Sequence, residues 1–299
     1  MRKIKIKLGL IGYPVEHSYS SVIHEAFLSY FGLNGQYHLF SIPELPAGEM
    51  RLLQLLEKVR QGEILGLNVT IPHKEAVIRY LDCLTETAKN INAVNTIICD
   101  NGKLIGENTD ALGFYNDLMS KTRNIFETRD AKSPMMKLGK CALILGAGGG
   151  ARAVAFSLIK SGWQLIIAAR QVSQGEVIVM DLKMLFQDSD ISAISLNETE
   201  LDMYRKKVKL LINCTPVGMY PNNYSCPWPE NISLPEQCFV YDLIYNPKDT
   251  KLIQLASEQG LPYSGGIGML IEQAALSFKN WLGLDPPRDL MAESLGKLI

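Results

Sequence analysis

No two cysteines in this chain are spaced Cys-x-x-Cys, although six are present, at 83, 99, 141, 214, 226 and 238. With only four histidines, His17, His24, His38 and His73, they complete no zinc pattern, and no metal is expected. Six reduced thiols in a cytoplasmic protein are the expected state. An excess of one charge is also lacking. Lys and Arg total 30 against 31 Asp and Glu, a net charge of -1, which draws neither nucleic acid nor an anionic membrane. Nor is there an unbroken apolar run. The longest candidate, Cys141 to Ile159, is interrupted by Arg152 and by glycines at 146, 148, 149 and 150, so it reads as strand, turn and helix. Met1 to Lys7 alternates Lys with Ile and has no apolar block, so no export route is expected.

What is present is apolar material for a sizeable core: 47% hydrophobic and 20% charged residues over 299 positions, enough for one large or two ordinary domains. Two patterned regions appear. In the first, Lys3 to Leu10, Tyr37 to Ile42 and Ile64 to Thr70 read as strands, and Ser20 to Phe31 and Met50 to Val59 as helices. Asn95 to Cys99 and Lys103 to Ile105 form a hairpin around Asp100-Asn101-Gly102, where Asn-Gly supplies the positive φ angles of a tight turn. Lys121 to Gly139, with weak periodicity and Pro134, reads as a connection or surface insertion. From Lys140 strands are expected over 140–146, 164–169, 208–213 and 238–243, with helices over 149–161, 175–186, 249–259 and 269–282. Strands alternating with helices predict a largely parallel α/β layer.

The sharpest local signal is Leu143-Ile144-Leu145-Gly146-Ala147-Gly148-Gly149-Gly150-Ala151, an apolar strand running through G-x-G-x-x-A into a helix. Gly146 permits the tight turn, Gly148 lets a pyrophosphate approach the backbone, and Ala151 lets the helix pack close to the strand. The helix start offers unpaired N–H groups to the phosphates. At the end of the next strand, where NAD enzymes carry an acid for the ribose 2′-OH, the chain has Ala169-Arg170-Gln171. An arginine there suits a 2′-phosphate, which favours NADP.

The first half carries its own motifs: Gly12-Tyr13-Pro14-Val15-Glu16-His17-Ser18-Tyr19-Ser20, Asn68-Val69-Thr70-Ile71-Pro72-His73-Lys74-Glu75, Ala93-Val94-Asn95-Thr96 and Gly106-Glu107-Asn108-Thr109-Asp110. After the glycine turn come Asn213-Cys214-Thr215-Pro216-Val217-Gly218-Met219, Tyr241-Asp242-Leu243-Ile244-Tyr245-Asn246-Pro247, and Gly265-Gly266-Ile267-Gly268-Met269-Leu270-Ile271-Glu272-Gln273-Ala274. In this order, over nearly the whole chain, the motifs closely resemble the shikimate dehydrogenase family.

That resemblance implies an N-terminal α/β substrate domain, 1–110 with 268–299, and a Rossmann-type NADP domain, 111–267, separated by a cleft. It implies NADPH-dependent reduction of 3-dehydroshikimate to shikimate in aromatic amino-acid biosynthesis, and allows a homodimer without requiring one. Residue by residue, Ser18 and Ser20 match the hydroxyls that hold the substrate carboxylate, with Tyr245 as a further contact. Thr70, Asn95 and Gln273 match substrate-binding positions, and Lys74 and Asp110 the catalytic pair. Gly146, Ala147, Gly148, Gly149, Gly150, Ala151, Arg170, Thr215, Gly266 and Met269 match the cofactor site, the last two where the nicotinamide pocket is lined.

Elementary chemistry accounts for the pair. Hydride arriving at a ketone leaves negative charge on oxygen, so a donor must be aimed there. Lys74 can supply it and Asp110 can hold the ammonium; an ordinary ion pair joining two loops is the plainer reading. His73 reads as a surface or packing residue, and Trp163, Trp228 and Trp281 as packing residues. The chain departs from the family at Ser21, where proline is usual, at His73, where an aromatic is common, and at Ala169-Arg170-Gln171, which stands for Asn-Arg-Thr. Two alternatives stay open: a quinate/shikimate dehydrogenase with broader NAD/NADP use, and a non-catalytic ligand-sensing relative.

Overall fold

The computed structural model describes residues 5–126 and 140–291. The chain divides into two compact units, the first running to Gly113 and resuming from Leu270, the second spanning Phe114–Met269.

The first unit contains strands β1 (Ile6–Gly12), β2 (Gly35–Ser41), β3 (Gly66–Val69), β4 (Cys83–Leu84), β5 (Thr96–Asp100) and β6 (Lys103–Glu107). Its helices are α1 (Ser20–Tyr30), α2 (Glu49–Arg60), α3 (His73–Ala76) and α4 (Glu86–Ile91). α5 (Asp110–Phe126) carries the chain onward into the second unit. The sheet order is β2-β1-β3-β5-β6-β4. β1 pairs in parallel with β2 and β3, whereas β3–β5 and β5–β6 are antiparallel. The β5–β6 turn places Asn101 and Gly102 at φ 49 and 78, as the Asn-Gly pair demands. In α2, Leu52, Leu55, Leu56 and Val59 face the core while Leu53 stays exposed, the spacing of one helical face. Trp281 lies on Gly66 so closely that any side chain at 66 would overlap its ring, and its indole N–H donates to Ile97 O at 3.0 Å.

The second unit holds β7 (Cys141–Leu145), α6 (Gly149–Lys160), β8 (Gln164–Ala169), α7 (Val172–Leu185), β9 (Ile191–Ser195), α8 (Glu198–Arg205), β10 (Leu210–Asn213), β11 (Phe239–Asp242), α9 (Lys251–Glu258) and β12 (Tyr263–Ser264). α10 (Ile267–Leu282) leads back into the first unit. The order β12-β11-β10-β7-β8-β9 is parallel throughout. This is the doubly wound order of dinucleotide-binding sheets, with the strand order reversing between β7 and β10. β7 and β10 are buried along their whole length, as a sheet covered on both faces requires.

Several expectations need adjusting. The first strand begins at Ile6, with residues 3 and 4 outside the described residues. Residues 121–126 of the expected connection continue α5, whose 17 residues hide a 3.6-residue apolar period among mixed charges; 127–139 lie outside the described residues. The apolar 141–159 stretch is β7, the glycine turn and α6, and no helix among the described residues is long and apolar enough to cross a membrane. β4, α4, β9 and α8 are short elements that the sequence pattern did not announce.

Candidate active site

Parallel strands end together, and the loops leaving those ends are where an α/β unit gathers ligand-facing groups. In the first unit β1 and β3 end side by side. Tyr13 N–H donates to Ile71 O at 2.9 Å and Thr70 N–H to Ile11 O at 2.8 Å. Gly12 has no room for a side chain because Thr70 and Val15 occupy that space. The loop after β1 carries Ser18 and the half-turn to Ser20. Ser18 Oγ donates to Ser20 Oγ at 3.1 Å and accepts from Ser20 N–H at 3.3 Å. The helix cap is Tyr19, whose side chain makes no capping bond; the first helical N–H goes to Ser18 Oγ instead.

Lys74 and Asp110, 36 residues apart in sequence, meet at 2.6 Å between Nζ and Oδ2. Their side chains are 16% and 5% exposed, so water competes weakly for the pair. Each is fixed from behind. The Lys74 carbonyl accepts from Val94 N–H at 2.8 Å. Asp110 opens α5, where the helix dipole favours an anion, and Asn108 Oδ1 accepts from the N–H groups of Asp110 and Ala111. Asn95 Nδ2 donates to Asp110 Oδ1 at 2.9 Å, to Thr109 Oγ1 at 2.8 Å and to Gln273 Oε1 at 3.3 Å. The structure therefore brings Lys74, Asp110, Asn95 and Gln273 into one bonded cluster. Thr70 stands one turn before Lys74, its carbonyl accepting from His73 N–H. His73 is fully buried with Nε2 on Ile42 O at 2.8 Å, a packing residue.

Sequence reasoning missed the layer beneath. Asn68, Thr96, Thr109 and Ser277 are all buried, and Asn68 Nδ2 reaches Asn95 O, Thr96 Oγ1 and Ser277 Oγ. Thr109 Oγ1 donates to Gln273 O and lies 3.1 Å from Ser277 Oγ. Polar residues in otherwise apolar strands are the signal that marks such a layer, since each must find a partner once buried.

In the second unit the glycine turn leaves β7 where the strand order reverses. Gly146 has φ 105, and its N–H donates to Ala168 O at 2.8 Å. Gly148 caps α6, and a Cβ there would stand in open space; one at Gly150 would touch only Leu243, at 3.6 Å. Ala147 is half-buried and Ala151 fully buried. No acidic residue occupies the first turn of α6. Arg152 is buried and bound to Asp181 at 2.7 Å, which is how the apolar helix accommodates a charge. Arg170 is exposed past the end of β8.

Opposite the turn, the loop after β10 is held by Asn213, whose Oδ1 accepts from Thr215 N–H at 2.9 Å and Thr215 Oγ1 at 2.7 Å. Asp242 anchors Asn213 in turn, accepting from its Nδ2 at 2.9 Å. Burial pushes the Asp242 carboxyl up to about 6, against the pull of bonds from Thr250, Ile244 N–H and Asn213. Gly266 leaves no space for a side chain beside Leu243 O, and its N–H donates to Ile244 O at 3.0 Å. Met269 is buried, and Tyr245 is half-buried in this unit. An open glycine turn, a helix start with no side-chain cap and no acid, and an arginine past β8 fit a phosphorylated dinucleotide.

Residues 10–97 match the model of the shikimate dehydrogenase substrate binding domain, and residues 266–295 that of the shikimate 5'-dehydrogenase C-terminal domain. A shikimate dehydrogenase (NADP(+)) of Methanopyrus kandleri is 39% identical over 289 residues, 96% of this chain and 94% of that one. A crystal structure of a shikimate dehydrogenase in complex with NADP+ is similar at a TM-score of 0.85 and 36% identity, covering 99% of this chain and 96% of that one. The Thermus thermophilus shikimate 5-dehydrogenase in complex with NADP(H) and shikimate gives a TM-score of 0.81 at 32% identity, covering 98% and 100%.

Proposed function

The chain belongs to the shikimate dehydrogenase family and is an NADP-dependent oxidoreductase, and we propose that it interconverts 3-dehydroshikimate and shikimate with Lys74 and Asp110 as its catalytic pair. The observation that carries this reading is the 2.6 Å contact between Lys74 Nζ and Asp110 Oδ2, kept partly open to solvent and braced by Asn95. A pair that served only to join two loops would gain little from a backing amide and a capped helix start.

Ser18 and Ser20 hold the substrate carboxylate, with Tyr245 as a further contact. Thr70, Asn95 and Gln273 bind the ring hydroxyls. Gly146 to Ala151, Thr215, Gly266 and Met269 hold NADP, with Arg170 at its 2′-phosphate. When bound, the reduced nicotinamide supplies the hydride. As negative charge develops on the carbonyl oxygen, the Lys74 ammonium donates a hydrogen bond and then its proton, becoming a neutral amine that solvent reprotonates. Asp110 keeps the ammonium in place through Oδ2 and never needs to leave its bond from Asn95. Oxidation of shikimate runs the same proton path backwards.

On this reading the part of the chain formed by 1–110 with 268–299 is the substrate domain and 111–267 the NADP domain. Six cysteines, all free, fit a reducing, cytoplasmic setting. The deciding experiment measures turnover of shikimate and of quinate, each with NADP and with NAD. Shikimate with NADP is expected to give the highest kcat/KM; an inactive protein that still binds shikimate would favour a ligand-sensing role instead.

A further inference from the structure

One buried pair in the second unit is not used by the mechanism. Tyr241, on β11, is fully buried, and Asp117, on α5, is 5% exposed. The phenol donates to Asp117 Oδ2 at 2.6 Å. Burial and the neighbouring carboxylate push the Tyr241 hydroxyl well above its ordinary range, so it remains a donor at any working pH. The backbone N–H of Met269 faces the same phenol oxygen and pulls the other way, favouring the ionised form. The other carboxylate oxygen, Oδ1, lies against Gly268, where any side chain would overlap it. Phe114 closes the arrangement edge-on to the Tyr241 ring, centroids 5.1 Å apart. Three elements thus converge on one phenol: the sheet through β11, the body of α5, and the first turn of α10.

We infer that Tyr241 and Asp117 are positioning residues for cofactor binding, setting the backbone of Gly268 and Met269 at the start of α10. The inference rests on the reading above that Gly266 and Met269 face the nicotinamide. A helix start is its least restrained part, because its first N–H groups have no partner within the helix. Here one of them faces a side chain anchored in the sheet. A glycine seated on a carboxylate removes a further freedom of movement. The cofactor then meets a wall formed in advance, and the cost of ordering it is not charged against binding.

Tyr241→Phe removes one oxygen and leaves the ring in place. In the purified protein without substrate, NADP affinity is expected to fall about tenfold by fluorescence titration, the loss of one good hydrogen bond with its ordering effect. Shikimate KM is expected to stay within about twofold, and amide exchange of the 266–271 segment to speed up. Asp117→Asn retains an acceptor for the phenol and is expected to bind NADP within about threefold of the parent. The inference is overturned if Tyr241→Phe binds NADP as the parent does, or if both variants lose shikimate and NADP affinity equally, which would mark a general structural role. Failure of the underlying reading shows differently: the unsubstituted protein would bind NADP without turning over shikimate.

Discussion

Asn95 donates to Asp110 Oδ1 at 2.9 Å, so the two oxygens of that carboxylate are divided between an amide and the Lys74 ammonium. Asp110 is thereby prevented from rotating, and the ammonium takes its direction from it.

Lys74→Ala should lower kcat by about 100- to 10,000-fold, the usual contribution of a positioned proton donor, with a change in shikimate KM of a few-fold at most. Steady-state kinetics with NADP decide it. A loss confined to KM would remove Lys74 from the chemistry.

Asn95→Asp would set a second carboxylate beside the first. Like charges disfavour joint ionisation, so the lower limb of the kcat/KM profile should move to higher pH. Asn95→Ala, by contrast, leaves buried partners unsatisfied and should cost about 1–3 kcal/mol in urea unfolding. An unchanged pH profile in Asn95→Asp would mean that the amide does not govern the acid.

Arg170→Ala should raise KM for NADP about 10- to 100-fold and leave KM for NAD nearly unchanged. Removal of a charge-assisted contact to a phosphate has that size, and NAD lacks the phosphate. Equal losses for both dinucleotides would place Arg170 elsewhere than at the 2′-phosphate.

His24 predicts an acid limb of stability. Its ring stacks on Tyr37, centroids 4.4 Å apart, and among the described residues neither ring nitrogen has a hydrogen-bond partner. Burial lowers its pKa from 6.5 to about 3. The unfolded chain therefore takes up a proton that the folded chain refuses. Stability is fully present above pH 6.5 and declines as pH falls from there toward 3, by up to about 1.4 kcal/mol per pH unit. His24→Phe should flatten that decline in chemical unfolding followed across this window. If the slope persists in the variant, other groups are responsible.

The second unit was the more legible of the two in sequence. A parallel sheet covered on both faces needs unbroken apolar strands, and Leu143-Ile144-Leu145 followed by Gly146 shows both the strand and the turn locally. The first unit hides more. Its antiparallel β5–β6 insertion sits between strands that pair in parallel, and no local pattern tells which neighbour a strand will choose. Lys74 and Asp110 could be read because each sits in a distinctive motif. Their support could not: Asn68 and Ser277 are 209 positions apart and meet only after α10 has packed. No part of α5 was read as a helix, because its charged and polar residues balance its apolar ones.

The lid on Gly66 is Trp281, which reaches the first unit's sheet from the far side of the second unit in sequence. On the ribosome this has a cost. The second unit is contiguous and can close as soon as it emerges, whereas the strands of the first unit must wait for Trp281 until the whole of the second unit has been synthesised. Arrested chains ending before residue 270 should accordingly be the ones that chaperones hold.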